Sequence, residues 1–65
     1  MIEIIKEFSN DKPIYIDKTR IETVEKAYSE GVEYTKIVTY SGRVVAAKLL
    51  VNEILELITK EDIKE

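Results

Sequence analysis

The sequence predicts a small α+β domain: an antiparallel sheet of four to five strands, built from two hairpins, with one C-terminal amphipathic helix. Three observations lead there. The β-branched runs "MIEIIKEF" and "IYID" are separated by the turn-forming cluster "SNDKP". Two further β-rich runs, "VEYTKIVTY" and "RVVAAKLL", flank Ser41-Gly42. Finally, "LLVNEILELITK" has helical apolar spacing. A chain of 65 residues makes one domain, 1–65.

The first hairpin is expected to pair Ile2 to Phe8 with Ile14 to Asp17. Pro13, the only proline, has no N–H for a ladder, so it belongs at the start of an edge strand. A short helix with Ile2, Ile5 and Phe8 on one face is the competing reading of the N-terminus.

Residues 19–31, "TRIETVEKAYSEG", have two readings. As a helix, Thr19 and Glu22 form an S/T-x-x-E capping box, Ile21, Val24 and Tyr28 recur at helical spacing, and Gly31 ends it. As a strand starting near Ile21, the segment joins the two hairpins into one antiparallel sheet. Local signals lean slightly to the helix.

For the second hairpin, a two-residue Ser41-Gly42 turn sets Tyr40 opposite Arg43, Val38 opposite Val45, Lys36 opposite Ala47 and Tyr34 opposite Leu49. Val32, Tyr34, Val38, Tyr40, Val45, Ala47 and Leu49 then share the expected core face. Thr35, Ile37, Thr39, Val44, Ala46 and Lys48 share the other, whose apolar members Ile37, Val44 and Ala46 are expected to meet another layer or another subunit.

In the C-terminal helix, Leu50, Val51, Ile54, Leu55, Leu57 and Ile58 fall within one arc of about 160° at roughly 100° per residue. Asn52, Glu53, Glu56, Thr59 and Lys60 fill the opposite side. The arc is wide enough to leave one edge for a partner. Residues 61–65 are expected to fray.

Composition excludes several function classes. Cysteine and histidine are absent, which removes a disulfide framework, a thiolate zinc site, a Cys nucleophile and an imidazole base. The two glycines are isolated, so no phosphate-cradling loop exists. Ser9, Ser29 and Ser41 sit in turn-like settings without such a base. Glu22 with Glu25, and Glu53 with Glu56, read as solvated surface charge rather than acid/base or metal pairs.

No apolar run approaches the roughly 18 residues of a membrane span. The start "MIEIIKEF" has acids where a secretory signal has a basic region, so a cytoplasmic location is expected. A net charge of −3, spread along the chain, argues against a nonspecific nucleic-acid binder. Tyr15, Tyr28, Tyr34 and Tyr40, with Lys36, Arg43 and Lys48 nearby, suggest a stacking platform, although filling the core margin is the simpler role for sheet tyrosines.

"IYIDKTRIETVE", "TKIVTYSGR" and "NEILELI", within residues 14–58, together resemble the FlbD-type small flagellar proteins, also called SwrD-type. The resemblance is carried by Ile21, Glu22, Val24, Glu25, Ile37, Gly42, Glu53 and Ile54. The chain departs from that pattern at "NDKP", at "YSEGVEYT" and at "RVVAAKLL". A shorter resemblance, through Val24, Tyr34, Thr35, Lys36, Ile37, Thr39, Gly42 and Leu50, is to the LytTR DNA-binding module. Both resemblances imply a strand at Ile21 to Lys26, and we adopt the strand.

The expected function is therefore that of a non-enzymatic adaptor without metal or cofactor, self-associating and binding another protein, with a motility context implied by resemblance. The expected partner-binding residues are Tyr34, Ile37, Tyr40, Arg43, Val44 and Leu55, since Tyr and Arg are enriched at interface hot spots. The alternative is a small acidic inhibitor or sequestering protein of the phage or mobile-element type, aimed at a nucleic-acid enzyme, a defence protein or a nucleotide signal. That alternative requires the acids on one face.

Overall fold

A computed structural model describes residues 2–59, so the expected frayed tail at 61–65, and Lys60, lie outside the described residues. Strands β1 (Ile2–Lys6) and β2 (Pro13–Asp17) form a two-stranded antiparallel sheet. Strands β3 (Ile21–Ser29), β4 (Val32–Thr39) and β5 (Val44–Ala47) form a three-stranded one in that order, and helix α1 (Val51–Thr59) closes the chain. The α+β class, with five strands and one C-terminal helix, is as the sequence predicts.

The strands do not make one continuous sheet. A single 3-10 turn, Lys18–Arg20, separates β2 from β3. Asp17 Oδ1 accepts from the Thr19 backbone N–H at 3.0 Å and from its hydroxyl at 2.7 Å. Thr19 is thus held by a cap rather than acting as one, and the segment after it is strand. The two sheets meet at β5 instead, through a bridge between Glu7 and Ala47. Phe8 N–H donates to Ala46 O and Lys48 N–H to Lys6 O, each at 2.9 Å.

β3 pairs with β4 along its whole length, Val24 opposite Ile37 and Ala27 opposite Tyr34, with a bulge between Ile21 and Thr23. That tertiary pairing overrides the helical spacing of the segment, because β-strand preference is mostly a measure of cross-strand packing.

The β4–β5 register corrects the sequence reading. Ile37 lies opposite Val45 and Thr35 opposite Ala47, one residue away from the expected pairing. The connection is a three-residue loop, Tyr40 to Gly42, closed by Thr39 N–H to Arg43 O and Gly42 N–H to Thr39 O, both at 2.9 Å. Gly42 adopts φ +92°, the conformation that such a loop requires of its last residue. A one-residue change of register turns a strand over. β5 buries Val45 and Ala47 as expected, but β4 buries Thr35, Ile37 and Thr39, while Tyr34 and Val38 face outward with Lys36.

The core is Ile5, Ile16, Ile37, Val45, Ala47 and Ile54, with Ile14, Ile21, Val24, Leu49, Leu57 and Ile58 packed around it. Each fully buried aliphatic side chain contributes about 1.5–3 kcal/mol. Two buried threonines are satisfied locally. Thr35 Oγ1 donates to Leu49 O at 2.6 Å, which fixes the corner between β5 and α1. Thr39 Oγ1 bonds with Ser41 Oγ at 2.9 Å and accepts from Arg43 N–H at 3.2 Å, which fixes the loop.

α1 buries Ile54 and packs Leu57 and Ile58 against the core. Its start is held by Glu53, whose carboxylate accepts from Leu50 N–H at 2.8 Å. Glu53 is therefore half of a capping box that lacks the usual hydroxyl residue at its first position.

Candidate functional site

The β4–β5 loop and the 3-10 turn come together at one end of the molecule. Tyr40 N–H donates to Arg20 O at 3.0 Å, tying loop to turn. The Arg43 guanidinium donates from Nη1 to the Tyr15 carbonyl at 3.4 Å, tying loop to β2. Between them lies a cleft of about 230 Å³ lined by Ile16, Asp17, Arg20, Thr39, Ser41 and Arg43.

Both arginines of the chain, Arg20 and Arg43, line this cleft. Among the described residues, neither guanidinium lies within ion-pair distance of a carboxylate; Glu3 pairs instead with Lys18 at 3.9 Å, and Asp11 with Lys48. Among the described residues Asp17 is the one acid that lines the cleft, and its bonds from Thr19 hold its carboxyl below the usual value of 3.8. Tyr40 stands 70% exposed on the loop, Tyr15 61% exposed on β2 and Val44 60% exposed at the start of β5.

Of the six residues expected to bind a partner, Tyr40, Arg43 and Val44 fall together here. The other three do not. Tyr34 is half-buried and stacked on Phe8, ring centroids 4.7 Å apart. Ile37 is 0% exposed and belongs to the core rather than to any surface of the folded chain. Leu55 is 45% exposed on α1, the uncovered edge of its apolar arc, and does not line the cleft.

The tyrosines do not form one platform. Tyr28 is opposite Glu33 near the far end of the β3–β4 hairpin, roughly 20 Å from Tyr40 at about 3.3 Å per strand residue. Arg20 and Asp17 escaped the sequence reading as site residues, although Arg20 had one available signal as the only other arginine; Tyr15 entered it only among the four platform tyrosines.

The apolar crevice under α1, lined by Ile5, Ile21, Ile37, Ile54 and Leu57 among others, has only about 10 Å³ of space, no more than a single water needs. Among the described residues no group of three or more acids converges on one point, and no helix is long and apolar enough to cross a membrane. No family model, no curated protein and no solved structure matches the chain.

Proposed function

We propose that the chain is a non-enzymatic protein-interaction module that docks a partner protein through the end carrying the β4–β5 loop. One observation supports this reading: Arg20 and Arg43, neither within ion-pair distance of a carboxylate among the described residues, line one cleft, and exposed Tyr40 and Val44 flank Arg43 along the chain. Exposed aromatic side chains beside arginine have the composition of interface anchors, because they bury a large area at a small entropy cost. Dispersal of the acids supports docking over the sequestering alternative: Glu3 and Asp11 pair with lysines, Glu53 caps α1, and Glu25 lies opposite Lys36. The motility context rests on the resemblance to the FlbD-type proteins.

A photo-crosslinking residue placed at Tyr40 in bacterial cells tests the reading. The expected result is a discrete protein adduct that Val44→Asp abolishes and that the same probe at Glu22, on β3, does not form. Adducts that survive Val44→Asp, or that form equally at Glu22, would sink it. The adduct's identity decides whether the partner is a motility component. Self-association is proposed on separate support, the exposed Ile2, Ile4 and Tyr15 on the outer face of β1–β2. A sedimentation series that is unchanged by Ile4→Asp would count against it.

A further inference from the structure

We infer that the Arg20–Arg43 cleft is a carboxylate-binding site, which receives an acidic side chain from the docked partner. The inference rests on the docking reading above and names what the partner must present.

Eight of the chain's ten basic side chains are lysines, and the only two guanidiniums, 23 positions apart in sequence, line one cleft. A guanidinium presents five N–H donors in a planar fork that matches a carboxylate, which an ammonium does not. Arg43 uses Nη1 on the Tyr15 carbonyl, so its orientation is fixed while its other donors stay available. Arg20 is held at its backbone by Tyr40 and flanks the same space.

Asp17 turns its Oδ1 to Thr19 rather than to either arginine. Two guanidiniums lining one cleft favour an anion, and a carboxylate is the anion that a protein side chain presents without modification. The hydroxyls of Thr39 and Ser41 bond each other and close the floor of the cleft, so specificity falls to the guanidiniums. Exposed Tyr40, between cleft-lining Thr39 and Ser41, favours an acid carried on a peptide over a small free acid.

The test exploits the small number of arginines. Two side-chain Nε–Hε signals report the whole site in a nitrogen-15 spectrum, and the full chain is titrated with the blocked peptide acetyl-Glu-Glu-amide. The expected result is that both signals move and saturate together, that acetyl-Gln-Gln-amide leaves them in place, and that Arg43→Lys or Arg20→Lys weakens binding about tenfold while far-UV circular dichroism stays unchanged. Free succinate is expected to bind more weakly than the peptide. The inference is overturned if neither signal moves, if only one does, if sodium chloride produces the same non-saturating drift, or if inorganic phosphate binds more tightly than the peptide. Crosslinking at Tyr40 separates this from the docking reading. Adducts that persist in the Arg20→Lys/Arg43→Lys double variant leave docking standing and remove the carboxylate site, whereas loss of all adducts in unaltered protein removes docking.

Discussion

β4 is entered and left by two turns that obey different rules. Ser29 and Val32 pair across a two-residue turn, Glu30-Gly31, in which both residues have positive φ, +52° and +82°. This is the backbone of a primed hairpin turn, whose first position normally holds Asn, Asp or Gly, yet here holds glutamate. Thr39 and Arg43 pair across a three-residue loop, Tyr40-Ser41-Gly42, in which only glycine has positive φ. The first turn places a residue against its preference and the second does not. Both turns end in a glycine at positive φ and still differ in length, so the comparison teaches that a glycine marks a turn without fixing its length, and it is the length that decides which face of β4 is buried.

The largest expected effect tests that face directly. If the three-residue loop sets the register, Ile37→Ala removes a wholly buried side chain and costs about 2–5 kcal/mol, whereas Val38→Ala, on the half-buried outer face, costs about 1 kcal/mol or less. For a single core of this size, with about 3–5 kcal/mol in total, Ile37→Ala leaves much of the chain unfolded. Urea unfolding followed by far-UV circular dichroism measures both, and the reverse order would mean that Ser41-Gly42 is a two-residue turn after all. Ile37→Glu, at a position expected from the sequence to bind a partner, would report unfolding rather than loss of an interface.

A smaller loss is expected from Gly42→Ala. Nothing lies within 4 Å of the position a Cβ would take, so any cost comes from the backbone, where φ +92° disfavours an L-residue by about 1–2 kcal/mol. The converse is expected at the other turn. Glu30→Asn keeps the positive φ but suits it better, so the unfolding midpoint should rise, by up to about 1 kcal/mol in stability. If Glu30→Asn destabilises the chain, the glutamate serves the turn in some way that backbone preference does not describe.

These turns also show how much was legible. Pro13 marked the start of β2, Gly42 marked a turn, and the spacing of Ile54, Leu57 and Ile58 marked the buried side of α1, because each is a local rule obeyed locally. β5 was assigned its correct face and β4 the wrong one, because Thr35, Ile37, Thr39 and Tyr34, Val38, Tyr40 alternate with nearly equal apolar weight. Ser41, a poor residue for positive φ, was the available signal for the longer loop. The capping box was sought at Thr19 and Glu22, but the working half lies at Leu50 and Glu53, where no hydroxyl advertises it. At the candidate site, Tyr40, Arg43 and Val44 fall together because they are neighbours in sequence. Arg20 and Tyr15 join them through their backbone carbonyls, which accept from Tyr40 N–H and the Arg43 guanidinium and leave no trace in side-chain pattern.

The smallest expected effect extends the comparison to the β1–β2 connection, where Asp11 is a second non-glycine residue at positive φ, +61°. Unlike Glu30, it has a cation against it: Lys48 Nζ hydrogen-bonds its carboxylate, which holds the Asp11 carboxyl below 3.8. Asp17, bonded by Thr19, is lowered as well. For both, the folded value lies below the unfolded one, so the folded state binds the proton less readily. Their stabilisation is fully present above about pH 4 and is lost as pH falls through the folded values. Asp11 is exposed and Asp17 half-buried at the surface, and the loss should be small. Unfolding midpoints measured from pH 5 downward should fall less in Asp11→Asn than in the parent, since asparagine tolerates the same backbone without the charge, and least in the Asp11→Asn/Asp17→Asn double variant. A double variant that loses stability as steeply as the parent would place the acid sensitivity elsewhere, and Asp11 would then hold its turn by conformational tolerance alone, as glycine does at position 42.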